Sequence, residues 1–139
     1  MAVSLFLVED EELVCELLAK FLSTEEGIDY LGDARDGATA IERIRELKPD
    51  MLILDLRLPE VSGLEVLKVV HKEVPQMKVI IFTGSLSEET LHTTLENGAV
   101  AYVEKAYGLD DLQKAIEAAK ENKKYFSPSI ARLVEDYEF

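Results

Sequence analysis

The sequence predicts an α/β fold in which a parallel sheet carries helices on both faces, and two observations support this prediction. Five short runs of apolar, β-prone residues alternate along the chain with five segments whose apolar residues recur at helical spacing. Several of the runs are continuously apolar, which is typical of strands buried on both faces. Because each parallel strand needs a crossover before the next one, the alternation predicts βα units rather than hairpins.

The first two units occupy the first third of the chain. Residues 3–8 are the first predicted strand and residues 28–32 the second. The helix between them follows an acidic cluster, in which Asp10 can serve as the N-cap. Its predicted apolar face consists of Leu13, Leu17 and Phe21 with Val14, Leu18 and Leu22. A second amphipathic helix over about residues 40–47 ends before Pro49.

The third and fourth units carry the clearest strand signals. Residues 51–54 form an apolar run that leads into Asp55, and residues 78–82 form another that leads into Thr83. A third helix lies between them. The fourth helix is predicted to begin after Ser87 as its N-cap. Its apolar stripe is the weakest of the five, so we expect this helix to be the least firmly docked.

The fifth unit completes the alternation, and a short extension follows it. Residues 100–103 are the fifth predicted strand, and the helix after them has regularly spaced apolar residues. Ser127 and Pro128 then provide an N-cap followed by a proline at the first helical position. We therefore predict a last short helix that ends at about Glu135.

Right-handed crossovers reduce the topologies that five βα units can adopt to a doubly wound sheet. For five strands we predict the flavodoxin-like order 2-1-3-4-5, with the short helix added at the carboxyl terminus. In that order the first and third strands are neighbours, and ligands bind in the crevice at the carboxyl ends of the strands. Functional residues are therefore expected at that edge of the sheet.

The composition is that of an acidic globular domain. The chain has 139 residues, with 28 acidic and 15 basic side chains and a net charge of -13. This excess argues against direct contact with a nucleic-acid backbone and favours sites for a divalent cation or a basic partner. The single cysteine, Cys15, excludes an internal disulfide and a cysteine-rich zinc site. Residues 3–8 are too short a run for a membrane span and lack the basic flank of a signal peptide, so we expect a cytoplasmic protein without membrane contact.

Polar side chains follow four of the five predicted strands, at the point where each strand ends. Glu9 and Asp10 follow the first strand, Asp55 the third, Thr83 the fourth and Lys105 the fifth. The predicted strand order brings these positions to one edge of the sheet. Three carboxylates that converge there would repel one another unless a cation lay between them. Oxygen ligands, with no histidine or cysteine near this edge, favour Mg²⁺ over zinc.

Each of these residues also has a purely structural explanation when it is taken alone. Asp55 could cap its own loop, Lys105 could form a salt bridge with it, and Thr83 could be an ordinary strand-end hydroxyl. Together they match covalent phosphoryl chemistry, in which a carboxylate attacks phosphorus and forms an aspartyl phosphate. The phosphoryl oxygens then require a metal ion, a cationic side chain and hydroxyl or backbone donors. Gly84, directly after Thr83, has no side chain that could obstruct a phosphoryl group.

Essentially all of residues 3–122 resemble a receiver domain (CheY-like) of bacterial two-component response regulators. The matching motifs, in chain order, are Val8-Glu9-Asp10-Glu11, Leu54-Asp55-Leu56-Arg57-Leu58-Pro59 with Gly63, Phe82-Thr83-Gly84 and Tyr102-Val103-Glu104-Lys105. Any one of these motifs is weak, but their order and their position at strand ends make the combination specific. The resemblance implies a phosphorylation-dependent signalling domain that is not an enzyme.

The resemblance further implies that Asp55 is the phosphoacceptor and part of a Mg²⁺ site. Asp10 would hold the ion, Glu9 would assist through water, and the backbone carbonyl of Arg57 would complete the protein ligands. Glu9 stands where the family more commonly has aspartate, a change that bears on the metal geometry. Arg57 and Ser85 occupy positions that border the attacking water in the family, so they bear on the lifetime of the phosphoryl group.

The same resemblance implies how the phosphoryl group is held and sensed. Thr83, Gly84 and Lys105 would contact the phosphoryl group. Thr83 and Tyr102 would form the switch, in which Tyr102 exchanges exposed and buried rotamers as Thr83 is drawn toward the phosphate. The fourth helix, fifth strand and fifth helix would then present a changed surface to a partner or to a second copy of the chain.

Two features resemble the NarL/FixJ (LuxR-type) branch: the alanine after Lys105, and residues 125–132. Members of that branch carry a helix-turn-helix DNA-binding domain after the receiver. We assign residues 1–122 to the receiver domain and residues 123–139 to an extension that leads to a linker, and we expect either a truncated chain or a stand-alone receiver. The implied partners are a sensor histidine kinase, a second copy through the fourth and fifth helices, and DNA only through an effector domain.

Two other functions use similar residues. A pseudo-receiver would keep the fold as a binding module without phosphorylation, but the chain retains the full set of Asp10, Asp55, Thr83 and Lys105. A phosphatase of the haloacid-dehalogenase type also uses an Asp nucleophile and Mg²⁺. Those enzymes have a second Asp two residues after the nucleophile, where this chain has Arg57, and we identify no cap domain.

Overall fold

In the computed structural model, which describes residues 2–84 and 87–135, six parallel strands form one sheet. In chain order they are β1 (Val3–Val8), β2 (Ile28–Ala34), β3 (Met51–Leu54), β4 (Lys78–Thr83), β5 (Ala101–Glu104) and β6 (Tyr125–Phe126). The order across the sheet is β2-β1-β3-β4-β5-β6. The predicted doubly wound fold and the order 2-1-3-4-5 are confirmed, whereas the predicted count of five strands is wrong by one.

Six helices follow the strands in the described part of the chain. They are α1 (Glu12–Ser23), α2 (Gly37–Leu47), α3 (Gly63–Glu73), α4 (Glu88–Glu96), α5 (Gly108–Lys120) and α6 (Pro128–Val134), and a 3₁₀ turn at Lys105–Tyr107 precedes α5. Asp36, Ser62 and Ser87 cap α2, α3 and α4 by accepting a backbone N–H with their side chains. The predicted cap at Ser87 is therefore confirmed. The predicted cap at Asp10 is wrong, because α1 starts one residue later, with Glu11 at the N-cap position.

The sixth strand arises from the way the chain leaves α5. Asn122 adopts a left-handed conformation (φ 59°), which asparagine tolerates better than most residues, and turns the chain back along the sheet. The N–H of Tyr125 then donates to the carbonyl of Val100, and the N–H of Ser127 to that of Tyr102. These bonds extend the sheet beyond β5. The predicted final helix is present, but the Ser127 hydroxyl does not cap it.

Helices cover the sheet on both faces and give two core layers. The side chains of β1, β3, β4 and β5 alternate between the layers, as the period of two in a strand requires. One layer packs against α2, α3, α4 and α6, and the other against α1 and α5. No helix among the described residues is long and apolar enough to cross a bilayer.

The apolar face of α1 differs from the predicted one. The helix buries Cys15, Leu18 and Leu22 against the sheet. Leu13 and Leu17, which we placed on the buried face, are 80% and 56% exposed. The residues that repeat at 13 and 17 lie on the flank of the helix, because the buried stripe is centred on position 18.

Candidate functional site

The carboxyl ends of β1, β3, β4 and β5 bring the predicted polar residues together at one edge of the sheet. Glu9 and Asp55 are almost completely buried there, at 0% and 3% exposure, and Thr83 is fully buried. Asp10 is exposed beside them. Lys105 begins the turn after β5 and reaches back over the site with its ammonium group. This is the crevice that the strand order predicts.

The Asp55 carboxylate accepts bonds on both of its oxygens. The Thr83 hydroxyl and the Arg57 backbone N–H each donate to Oδ1 at 3.1 Å. Lys105 Nζ lies 2.9 Å from Oδ2. Gly63 packs directly behind the Asp55 peptide, where a Cβ atom at position 63 would lie 2.1 Å from the Asp55 carbonyl oxygen. The loop after β3 can close onto Asp55 because residue 63 is a glycine.

Glu9 is held between the backbone and Lys105. Its Oε2 accepts the backbone N–H of Glu11 at 3.0 Å, and its Oε1 lies 2.7 Å from Lys105 Nζ. Burial raises the pKa of Glu9, and the nearby Asp55 charge adds to this rise, although Lys105 and the Glu11 N–H oppose it. Burial alone would lower the pKa of Lys105, but its hydrogen bonds and charge interactions with Glu9 and Asp55 outweigh burial and raise it. Lys105 is therefore a cation fixed among carboxylates.

The three carboxylates have the composition of a site for a hard cation. Glu9, Asp10 and Asp55 each place one carboxylate oxygen so that all three oxygens lie within 4.8 Å of one another. Glu9 Oε1 is buried and, apart from Lys105 Nζ at 2.7 Å, has no hydrogen-bond partner within the described part of the chain. An oxygen donor set of this kind, with an exposed carboxylate at its mouth, fits Mg²⁺.

The remaining predicted residues lie around this cluster. Gly84 is exposed, and a Cβ atom built on it would meet no atom of the described residues within 4 Å. Tyr102 is fully buried, and burial, with the charges of Glu104 and Asp55, raises its pKa to about 12. Of the two rotamers predicted for Tyr102, the structure has the buried one. Ser85 lies outside the described residues.

An apolar groove beside Lys105 was not predicted from the sequence. It has a volume of about 160 Å³ and is lined by Val14, Leu17, Leu18, Phe82, Lys105, Gly108 and Leu109. Leu13, Leu17 and Tyr107 are the large apolar side chains that remain exposed in the described residues. Leu17 lines the groove, Leu13 lies on the same helix, and Tyr107 directly precedes the lining residue Gly108. Exposed apolar side chains that cluster beside a site often mark a contact surface. The sequence signal was present in the unusually wide apolar stripe of α1, which we assigned entirely to the core.

The chain matches one protein family over most of its length. Residues 5–117 match the profile of the response regulator receiver domain. The chain is 30% identical over 130 residues to the response regulator protein VraR of Staphylococcus epidermidis (strain RP62A), which covers 94% of this chain and 62% of that protein. It therefore spans less than two thirds of the length of this curated relative.

Solved structures share the fold closely. A LuxR-family two-component response regulator from Aurantimonas sp. SI85-9A1 superposes with a TM-score of 0.90 at 27% identity, covering 98% of this chain and 97% of that one. The isolated receiver domain of RcsB from Salmonella enterica serovar Typhimurium, solved with the phosphomimetic BeF₃⁻, has a TM-score of 0.87 at 24% identity over 96% of this chain and 99% of that one. The second likeness concerns the fold alone.

Proposed function

This chain belongs to the response regulator receiver family, and we propose that it is a phosphorylation-controlled switch whose phosphoacceptor is Asp55. One observation carries the proposal. The buried Asp55 carboxylate contacts a fixed ammonium group and a buried hydroxyl, and two further carboxylates lie within reach of a shared cation. A carboxylate that only capped its loop would need none of these neighbours.

The proposed reaction transfers a phosphoryl group from a histidine kinase. An Asp55 carboxylate oxygen attacks phosphorus, the P–N bond of the donor phosphohistidine breaks, and the imidazole leaves with the electron pair. Lys105 and Thr83 already contact the Asp55 oxygens, so they lie within reach of the new phosphoryl oxygens. Glu9, Asp10, Asp55 and the Arg57 carbonyl would hold Mg²⁺, whose chemistry is to offset the negative charge of nucleophile and phosphoryl group.

The exposed apolar residues of α1 support a protein donor. Leu13 and Leu17 leave apolar surface exposed on α1, and Leu17 lines the groove that also contains Lys105, where a small phosphodonor would have no use for apolar surface. An amphipathic helix of a protein donor can pack its apolar side into such a groove. We propose the α1 flank and Tyr107 as the kinase contact.

The proposed output is a change at the surface formed by α4, β5 and α5. Thr83 would move from Asp55 Oδ1 to a phosphoryl oxygen, and Tyr102 would repack in response. In the described chain β6 pairs with β5, so a dimer through this surface would use the flanks of α4 and α5 rather than an open β5 edge. We propose a cytoplasmic protein whose transcriptional output acts through an effector domain, as the LuxR-type relatives suggest.

Phosphoryl uptake tests the proposal. The protein is incubated with Mg²⁺ and acetyl phosphate, and its intact mass is compared with that of an Asp55→Asn variant. A gain of one phosphoryl group by the wild type alone is expected. No gain in the wild type, even with a kinase, would contradict the proposal, and the additional absence of Mg²⁺ binding would support a pseudo-receiver. Sustained turnover of a phosphomonoester would instead support a phosphatase.

A further inference from the structure

A second buried polar cluster lies on the far side of β5 from Asp55. Its centre is Asp111, which is 6% exposed in the first turn of α5. The hydroxyl groups of Tyr125 and Ser127 both donate to the Asp111 carboxylate, the latter at 2.5 Å. Burial, and then the bond and charge interaction with Asp111, raises the pKa of Tyr125 to about 12. The phosphoryl transfer proposed above uses none of these three side chains.

Ser127 connects this cluster to β5 at two points. Its hydroxyl oxygen accepts the backbone N–H of Glu104 at 3.0 Å, and its own N–H donates to the carbonyl of Tyr102 at 3.1 Å. Glu104 directly precedes Lys105, which holds Asp55. Ser127 thus binds the backbone of the predicted switch residue and the backbone next to the lysine of the site.

Other contacts join β6 and α6 to Thr83 and Tyr102, the predicted switch residues. Glu104 is the register partner of Thr83 across β4 and β5, and Phe126 is the partner of Tyr102 across β5 and β6. Ile130 of α6 is fully buried in the core layer that also contains Tyr102. The segment β6–α6 is therefore tied to β5 through backbone, side-chain hydrogen bonds and the core.

We propose that Ser127 and Asp111 are positioning residues that couple the β6–α6 segment to the phosphorylation site. The inference rests on the proposed phosphorylation of Asp55. Asp111 orients the Ser127 hydroxyl so that its oxygen accepts from Glu104, and this bond fixes the backbone just before Lys105. A phosphoryl group on Asp55 separates Asp55 from Lys105 and Thr83, because both side chains must follow the phosphoryl oxygens. The end of β5 is displaced, the bond between Glu104 and Ser127 weakens, and β6–α6 loosens.

This coupling would transmit phosphorylation of Asp55 to the carboxyl-terminal end of α6. The loosened segment is the one from which the chain continues after α6, so a change at Asp55 would reach whatever follows Val134. Coupling of this kind is reciprocal. If phosphorylation weakens the Ser127 bond, then loss of that bond must favour the phosphorylated state.

Amide hydrogen exchange with and without beryllofluoride and Mg²⁺ tests the inference, with adduct formation followed separately by fluorine NMR. In the wild type we expect exchange at Glu104 and Ser127 to become about fivefold faster in the adduct, the factor that one lost hydrogen bond corresponds to. In Ser127→Ala, exchange across β6–α6 should already be fast without beryllofluoride. The ratio of the exchange rates with and without the adduct should then fall to about one. The same variant should bind beryllofluoride several-fold more tightly.

Tyr125→Phe is the matched control. It removes a hydrogen bond to the same Asp111 carboxylate but leaves the bond between Ser127 and Glu104, so the fivefold response should persist. Asp111→Asn provides a second variant should Ser127→Ala fail to fold, and it should reduce the response in part. An adduct that leaves exchange in the wild type unchanged, or a full response in Ser127→Ala, would overturn the inference alone. Absence of any adduct in the wild type would contradict the proposed function, and the inference would fall with it.

Discussion

On the α1 side of Asp55 the surface is apolar and open, with Leu13 80% exposed, whereas on the β5 side Tyr102 and Ile130 are completely buried. The β5 side is covered because the chain turns after α5, adds β6 to the sheet and lays Ile130 into the core. Within residues 2–84 and 87–135, no comparable segment covers the exposed flank of α1. We infer that the open flank receives the phosphodonor and the covered flank carries the response.

Truncating one apolar side chain on each flank should give the largest difference in unfolding free energy between the two flanks. Ile130→Ala should lower the free energy of unfolding by about 2–5 kcal/mol, since it removes buried methyl groups and leaves a cavity. Leu13→Ala should change it by about 0.5 kcal/mol or less, because the side chain is already in solvent. Urea unfolding of both variants measures the difference. Equal losses of unfolding free energy in the two variants would mean either that Leu13 is packed in the core or that α6 is not.

A similar contrast between a covered and an open position occurs at two glycines of the site. Gly63→Ala should lower the free energy of unfolding by about 1–3 kcal/mol, because the new Cβ atom must displace the Asp55 peptide. Gly84→Ala should fold normally, because no atom in the part of the chain that the structure describes lies within 4 Å of the new Cβ atom. Thermal melting of both variants gives the comparison. An unaffected Gly63→Ala would contradict the close packing of the loop behind Asp55.

The open flank can be tested by its effect on the phosphodonor. Replacing Leu13 and Leu17 together with serine should slow transfer from a phosphorylated sensor kinase about tenfold, a cost of ~1.4 kcal/mol that is reasonable for part of an apolar contact. Uptake from acetyl phosphate should not change, because the small donor does not touch α1. Both rates can be followed by intact mass. Equal slowing with both donors would place the effect at Asp55 instead of at a kinase contact.

On the covered flank, Tyr125 should give a small pH dependence of the unfolding free energy at alkaline pH. The pKa of Tyr125 is raised to about 12, against ~10 for an exposed tyrosine. The raised pKa comes first from burial and then from the bond to Asp111 and its charge. The unfolded chain ionises first, so protonated Tyr125 stabilises the fold fully below pH ~10, and this contribution is lost as the pH rises through ~12. Tyr125→Phe should therefore flatten the decline of unfolding free energy across this window. An unchanged decline would mean that the pKa of Tyr125 is not raised in the folded protein.

Most of the fold could be predicted because its signals are local. The periods of two and 3.6 residues identified five strands and their helices, and capping chemistry identified the start of α4 at Ser87. The convergence of Glu9, Asp55, Thr83 and Lys105 followed from the strand order alone. The roles assigned to these residues remain predictions of the family resemblance.

The features that escaped prediction depend on contacts between distant parts of the chain. Two residues, Tyr125 and Phe126, are too short a run to signal a strand, and β6 exists because β5 offers it an edge. Asp111 reads in the sequence as an ordinary acid in the first turn of a helix, where the helix dipole explains it. Its bonds to Tyr125 and Ser127 appear only when β6 is in place. Likewise, periodicity shows that α1 is apolar but not which part of its wide stripe faces the sheet.

Chemical mapping of the phosphorylated residue shows directly whether Asp55 is the phosphoacceptor. After incubation with Mg²⁺ and acetyl phosphate, borohydride reduces an aspartyl phosphate to homoserine, and peptide mass spectrometry locates the change. We expect homoserine at position 55, no homoserine at Asp10 and no 5-hydroxynorvaline, the product of a reduced glutamyl phosphate, at Glu9. The carboxylates of Glu9 and Asp10 lie in the same cluster as that of Asp55. Reduction at another carboxylate, or a phosphoryl group that resists borohydride, would contradict the claim that Asp55 is the phosphoacceptor.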